Sequence, residues 1–129
     1  MMTPELQLLA WSVALTVVQM LVATTGANTQ IPLATLANNR ENLPALTGWA
    51  GRAQRAHRNM LENLPLFIGL VLVAHIGGRA NAMTLLGAQL FFWARLVYAI
   101  VYVVGIPWVR TAVWAVSAIG LILIFLQLL

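Results

Sequence analysis

The sequence predicts an all-helical integral membrane protein, a bundle of four transmembrane helices in one domain over residues 1–129. Of its 129 residues, 61% are hydrophobic and only 8% are charged, whereas an ordinary soluble domain carries about 25% charged residues. The mean hydropathy is +0.87. Four apolar stretches approach the length of about 20 residues that crosses a hydrocarbon core of about 30 Å. None shows the polar–apolar alternation of membrane-spanning strands, so helices are expected.

The first two predicted spans cover about residues 6–24 and 55–76. The first contains no charge after Glu5, and the residues before it lack the basic segment of a secretory signal, so we expect a retained helix. The second begins among charged residues, becomes apolar at Leu64 and ends before Gly77.

The third and fourth predicted spans cover about residues 83–104 and 109–129. The segment Gly105-Ile106-Pro107 between them has the composition of a turn. The connections around the third span are short, which makes helices 2, 3 and 4 sequential antiparallel neighbours. The first connection, Ala27–Gly51, is instead a long polar stretch rich in asparagine, and loops of this length are often functional or flexible.

The distribution of arginine predicts the orientation in the membrane. One arginine, Arg79, flanks the second connection, and five flank the first and third connections: Arg40, Arg52, Arg55, Arg58 and Arg110. The positive-inside rule therefore predicts that the long loop is cytoplasmic and that both termini lie outside.

Several function classes are excluded by composition. The formal net charge of +4 comes from seven basic residues, all arginine. They form no dense basic stripe, so a nucleic-acid partner is not expected. Cysteine is absent, which excludes disulfides and a cysteine nucleophile; any thiol chemistry must use a thiol of the substrate. His57 and His75 stand far apart on the second span, so no metal site is expected.

Two charged residues lie well away from the ends of the predicted spans, and insertion of a charge costs about 2.5–3.5 kcal/mol at the membrane centre. Arg95 lies near the middle of the third span, and Glu62 lies about two turns into the second. One explanation is a structural Glu62–Arg95 ion pair that holds the bundle together. The other is a polar cavity that opens to the cytoplasmic side and binds a small charged ligand.

Helical spacing places further polar residues beside both charges. Positions i, i+4 and i+7 on the second span share a face, as do i, i+3 and i+7 on the third. The two sets are Arg55, Asn59 and Glu62 on the second span, and Arg95, Tyr98 and Tyr102 on the third. Two adjacent helices thus each present a polar stripe within the membrane.

Two segments of the sequence resemble one family. Residues 52–67, RAQRAHRNMLENLPLF, are similar to the signature R-A-x-x-N-x-x-E-x-x-P-x-F of the MAPEG superfamily, the membrane-associated proteins in eicosanoid and glutathione metabolism. Residues 94–110 resemble the third helix of that family and the turn after it. The resemblance extends over the full chain, with four spans and a long first loop in matching order.

The resemblance implies a homotrimer that holds glutathione, as a co-substrate, between neighbouring subunits near the cytoplasmic side. It also implies lipid as the surroundings and a lipophilic electrophile or hydroperoxide as the second substrate. By match to the family motifs, the glutathione-binding residues would be Arg55, Asn59, Glu62, Arg95, Tyr98 and Tyr102. The catalytic residues would be Arg110 and Tyr98. Arg110 follows the turn proline, as in prostaglandin synthase-like members, whereas leukotriene synthase-like members carry the thiol-activating arginine before it.

Two alternatives to a glutathione-dependent transferase remain open at this point. One is a non-catalytic membrane scaffold that keeps the fold without turnover. The other is a small proton-coupled multidrug exporter, which also has four short helices but needs a membrane-embedded carboxylate in helix 1. The single carboxylate of helix 1 is Glu5, at the end of the span, which disfavours the exporter.

Overall fold

The computed structural model describes residues 2–129, so residue 1 of the predicted domain lies outside the described part. These residues form five α-helices and no strand: α1 Pro4–Gln30, α2 Leu33–Ala37, α3 Gly48–Ile76, α4 Ala82–Val104 and α5 Pro107–Leu128. The four longer helices are all long and apolar enough to cross a membrane. The predicted all-helical, four-span class is confirmed.

The four long helices run alternately up and down, as three hydrogen-bonded links between their ends show. The Gln30 side chain bonds to the backbone of Thr47, which joins the end of α1 to the start of α3. Arg52 Nε donates to the Val103 carbonyl, which joins the start of α3 to the end of α4. At the opposite end, Asn81 donates to Gln127 and joins the start of α4 to the end of α5. We call the end with residues 31–47 and 105–106 the loop end, and the opposite one the terminal end.

Two of the predicted spans lie inside longer helices. Helix α1 continues past residue 24 to Gln30, and α3 begins at Gly48 rather than near residue 55. The polar connection predicted at Ala27–Gly51 is therefore helical at both ends, and the segment between α1 and α3 contains the short helix α2. Hydropathy marks the part of a helix that lies in hydrocarbon, whereas the hydrogen bonds of a helix continue equally well through polar residues beyond it.

The helix ends follow from local capping chemistry. The Thr3 hydroxyl accepts a hydrogen bond from the Leu6 amide, with proline at the first position of α1. Asn81 and Thr84 form a reciprocal capping box at the start of α4. Helix α4 ends at Val104 and is capped by Gly105, whose φ of 95° is a left-handed conformation that glycine adopts without strain.

The apolar core lies between α3, α4 and α5. Phe67 and Phe91 stack with their ring centroids 4.1 Å apart, and Met60 and Ile124 are fully buried beside them. Helices α4 and α5 approach closely because two glycines face each other: a Cβ on Gly87 would lie 2.6 Å from the Gly120 carbonyl oxygen. Small residues at a contact permit such close approach of two membrane helices.

Candidate functional site

A fully buried arginine lies at the centre of the polar residues predicted from the sequence. Arg95 on α4 is only 1% exposed. One of its terminal nitrogens, Nη2, donates to Asn59 Oδ1 on α3 over 2.7 Å. Its Nε and Nη1 are buried without a hydrogen-bond partner among the described residues. Because a buried charge is costly unless it is paired and hydrogen-bonded, this guanidinium retains the capacity to bind an acceptor.

The Glu62–Arg95 ion pair, one of the two explanations offered for these charges, is wrong for the protomer. Arg95 bonds to Asn59 instead, and Glu62 is exposed. The reason is the rotation of side chains around the helix axis. A residue three positions after Asn59, or four positions before it, points about 40–60° away from the direction of Asn59. Glu62 and Arg55 occupy those positions, and both are exposed. Asn59 is therefore the residue of this predicted stripe that hydrogen-bonds to α4.

Two tyrosines connect Arg95 to a second arginine on α5. The Arg95 Cζ lies 4.3 Å from the centroid of the Tyr98 ring. The rings of Tyr98 and Tyr102 meet edge to face with centroids 5.4 Å apart. The Arg110 Cζ lies 4.5 Å from the centroid of the Tyr102 ring. A guanidinium within about 6 Å of a ring centroid is attracted by the quadrupole of the ring, so the two arginines and two tyrosines form one continuous group.

This cation–tyrosine cluster, defined as Asn59, Arg95, Tyr98, Tyr102 and Arg110, comes from three different helices. The structure brings these five predicted site residues together and leaves Arg55 and Glu62 exposed on α3. Guanidinium and phenol groups all donate hydrogen bonds. The cluster is consequently suited to an anion, and most of it lies within apolar helices, where an anion would otherwise be poorly solvated.

Two residues that support the cluster were not singled out from the sequence. Asn63 Nδ2 donates to the Asn59 carbonyl over 2.8 Å and to Asn59 Oδ1 over 3.2 Å, so it orients the side chain that receives Arg95. Its position one turn after Asn59 was the available signal. Arg52, considered only as a charge flanking a span, donates to the Val103 carbonyl over 2.9 Å. No pattern in the sequence reveals that long-range bond.

Two other kinds of site can be checked in the structure: a metal site, which the sequence does not predict, and the membrane-embedded carboxylate that an exporter would need. Residues 2–129 hold no group of three His, Cys, Asp or Glu residues that could bind a metal ion. Glu5, the carboxylate relevant to an exporter, lies in the first turn of α1 at the terminal end. It is remote in sequence and in the bundle from Arg95 and Arg110, whose cluster extends toward the loop end.

Comparison with known proteins gives one match. The model of the MAPEG family matches residues 8–129, which is nearly the whole chain. No curated protein and no solved structure matches the chain.

Proposed function

The chain belongs to the MAPEG family, and from that premise we propose that it binds glutathione and activates the glutathione thiol for transfer to a lipophilic electrophile or hydroperoxide. One observation supports this more than any other. Arg95 is 1% exposed, and two of its nitrogens have no partner in the described part of the chain, residues 2–129. An incompletely paired cation inside an apolar bundle destabilises the fold. An anionic ligand bound beside it would offset that cost.

Glutathione carries the anionic hydrogen-bond acceptors that the cluster lacks. The tripeptide carries two carboxylates and a thiol, whereas the cluster carries two guanidinium groups and no anion. Its amide acceptor, the Asn59 oxygen, already accepts from Arg95 and Asn63. A carboxylate can accept two parallel hydrogen bonds from one guanidinium, and such charge-assisted bonds are about twice as strong as neutral ones. Arg95 would hold a carboxylate in this way, and Asn59 would keep the guanidinium in place.

Activation of the thiol is assigned to Arg110, with Tyr98 as a hydrogen-bond donor. A thiol with a pKa of about 8.5 is only a few per cent ionised at pH 7. Lowering that pKa by two units requires about 2.7 kcal/mol. One guanidinium about 4 Å from the sulfur contributes about 4 kcal/mol at an effective dielectric constant near 20. The thiol proton leaves to water. The thiolate sulfur then bonds to the electrophilic atom while the bond from that atom to its leaving group breaks, and the leaving group departs with the electron pair. With a hydroperoxide the O–O bond breaks: the sulfur takes the terminal oxygen as a sulfenic acid, and the alkoxide takes a proton from water to become the alcohol.

The proposed assembly is a homotrimer with glutathione between subunits near a cytoplasmic loop end. Arg55 and Glu62 are exposed on α3 in the single protomer. If Ile76, the last residue of α3, marks one membrane boundary, Glu62 lies about 20 Å from it and therefore within a core of about 30 Å. A carboxylate facing lipid at that depth is costly. A neighbouring subunit and the tripeptide bound against it would cover this face and place Arg55 and Glu62 at the ligand.

The test measures binding and thiolate formation separately, with detergent-solubilised protein. Binding is followed by the thermal shift with glutathione and with S-methylglutathione, which lacks a free thiol. Thiolate formation is followed by ultraviolet absorbance at neutral pH. Saturation at about 100 times Kd should stabilise the protein by about 2.7 kcal/mol. We expect Arg95→Met to weaken both ligands and Arg110→Ala to lose the thiolate signal while S-methylglutathione still binds.

A matched control is Arg79→Ala, which removes the same charge from the terminal end, where Arg79 is exposed. It should change neither measurement. Binding without thiolate formation in the wild type would favour the non-catalytic scaffold over the transferase. No binding at all would contradict the proposal. If Arg110→Ala keeps the full thiolate signal, the activating group is instead one of the remaining donors: Arg95, Tyr98 or Tyr102.

A further inference from the structure

A side-chain hydrogen bond ties the start of α3 to the last turn of α4 at the loop end. Arg52 is partly buried, and its Nε donates to the Val103 carbonyl over 2.9 Å. Val103 is among the last four residues of α4, whose carbonyl oxygens have no donor within their own helix. An arginine near such carbonyls bonds to them and is attracted by the negative end of the helix dipole. Arg52 therefore holds the end of α4 from a different helix.

The guanidinium of Arg52 also packs against the turn between α4 and α5. A Cβ on Gly105 would lie 3.3 Å from Arg52 Nε and 3.6 Å from Arg52 Cζ. Gly105 and Ile106 are the two residues that separate α4 from α5. Glycine is the residue with the greatest backbone freedom, so the path of this turn is restricted chiefly by what packs on it. Arg52 supplies such a contact.

The position of Arg110 depends on this turn. Arg110 is the fourth residue of α5, and its amide donates to the Ile106 carbonyl over 3.3 Å. No side chain caps the start of α5. The close contact of Gly120 with α4 lies ten residues further along α5, or about 15 Å away. It leaves the first turn of α5, and with it Arg110, to be held locally.

We propose that Arg52 is a positioning residue for Arg110. Its bond to the Val103 carbonyl fixes the turn and so keeps the Arg110 guanidinium over the Tyr102 ring, where Cζ lies 4.5 Å from the ring centroid. The consequence for a thiol rests on the proposed function, in which Arg110 activates glutathione. The effect of Arg52 requires its Nε–H donor rather than its charge.

The size of the effect follows from the distance dependence of the attraction between Arg110 and a thiolate. At an effective dielectric constant near 20, this attraction falls by about a third when the separation grows from about 4 to about 6 Å. That change corresponds to about a tenfold change in the ionisation constant of the thiol. A displacement of about 2 Å at the first turn of α5 is therefore enough to be measured.

Two substitutions of Arg52 separate the hydrogen bond from the charge. Arg52→Gln keeps an N–H donor on Cδ, where arginine carries Nε, and removes the charge. Arg52→Met removes both, so the difference between the two variants reports the hydrogen bond. Gln127→Leu is the matched control, because it removes the bond of 2.8 Å between Asn81 and Gln127 that links α4 to α5 at the terminal end. Arg52→Leu, which also lacks the donor, replaces Arg52→Met if that variant does not fold.

The first measurement is nuclear magnetic resonance of the full chain in detergent without glutathione. The chain contains two tyrosines, Tyr98 and Tyr102, so isotopic labelling of tyrosine gives two ring signals, which Tyr98→Phe assigns. Arg110→Ala gives the position of the Tyr102 signal without the guanidinium over the ring. We expect Arg52→Met to move the Tyr102 signal most of the way to that position. Arg52→Gln and Gln127→Leu should leave it near its wild-type position.

The second measurement is the pH titration of the thiolate absorbance with saturating glutathione. Arg52→Met should move the midpoint about one pH unit higher than Arg52→Gln does. The affinities of these two variants for S-methylglutathione should differ by less than about twofold, because Arg95 rather than Arg110 is assigned to hold the tripeptide. A purely structural role of Arg52 would lower the stability without moving the titration.

Three outcomes would overturn the proposal. These are an unmoved Tyr102 signal in Arg52→Met, an equal movement in Arg52→Met and Arg52→Gln, and a moved signal with an unchanged thiolate titration. If the wild type does not bind glutathione, the proposed function is contradicted. The magnetic resonance measurement then still decides whether Arg52 positions Arg110, since it uses no glutathione.

Discussion

Replacement of Asn59 by leucine tests how the buried charge of Arg95 is accommodated. Asn59 Oδ1 receives Arg95 Nη2 over 2.7 Å, and two other nitrogens of Arg95 are unpartnered within residues 2–129. Leucine has nearly the same size but cannot accept a hydrogen bond. Loss of a hydrogen bond to a charged group costs about 1.5–3 kcal/mol. Removal of the partner of a buried charge can cost about 3–5 kcal/mol. This range is the upper limit for the destabilisation caused by Asn59→Leu.

The assay is equilibrium unfolding in detergent without glutathione, carried out as a double-mutant cycle with Arg95→Met. Methionine fills similar space without charge, so the acceptor at position 59 no longer receives a buried cation. Asn63 Nδ2, which also donates to that acceptor, keeps its shorter bond to the backbone carbonyl of residue 59. We expect Asn59→Leu to lower the free energy of unfolding by about 1.5–3 kcal/mol in the wild type and by less than about 0.5 kcal/mol in the Arg95→Met background.

Glu62→Gln is the decisive comparison, because the sequence alone suggested Glu62 as the partner of Arg95. Glu62 is exposed, and Arg95 bonds to Asn59. Its substitution should therefore change the free energy of unfolding by no more than about 0.5 kcal/mol. The reasoning is refuted if Glu62→Gln costs as much as Asn59→Leu, or if Asn59→Leu costs the same with and without the Arg95 charge.

Three further predictions concern the bundle and its setting. Gly120→Ala should destabilise the protein by about 1–3 kcal/mol in thermal unfolding, because the new Cβ would lie 2.5 Å from the Gly87 carbonyl oxygen. Gly69→Ala is the control: its new Cβ would meet no other atom of the described residues within 4 Å, so the stability should not fall. Reporter fusions at the C-terminus should be active on the external side of the membrane, and cytoplasmic activity would reverse the assigned orientation. Native mass spectrometry from lipid should show a trimer, and dimers alone would contradict it.

The membrane-embedded part of the fold could be predicted closely, whereas the loop end could not. The span predicted at about 83–104 is the helix Ala82–Val104. Both of its ends carry strong local signals, the Asn81 cap and the turn at Gly105. No comparable signal separates the polar ends of α1 and α3 from the connection between them. Their helical extent depends on packing, as where Gly26 of α1 lies against Ala50 of α3.

The candidate site could be predicted as a set of residues but not as a set of contacts. Periodicity correctly placed Arg95, Tyr98 and Tyr102 on one face of α4, and the structure joins them to Arg110. On α3, spacing grouped residues that differ by about 40–60° around the helix. At a helix–helix contact such a rotation decides between burial and exposure, so Asn59 was not distinguished from its neighbours.

Composition and periodicity by themselves determined that this chain is a four-span helical membrane protein with an arginine inside its third span. They suffice because the thickness of the hydrocarbon layer, and the cost of a charge within it, act on each segment separately. The tertiary structure alone decided that Asn59 receives that arginine, that Asn63 orients Asn59, and that Gln19 Oε1 is buried with no hydrogen-bond partner within residues 2–129. These are relations between helices. They depend on the rotation and approach of each helix against its neighbours, which packing sets once the close Gly87–Gly120 contact and the stacked Phe67–Phe91 pair are in place.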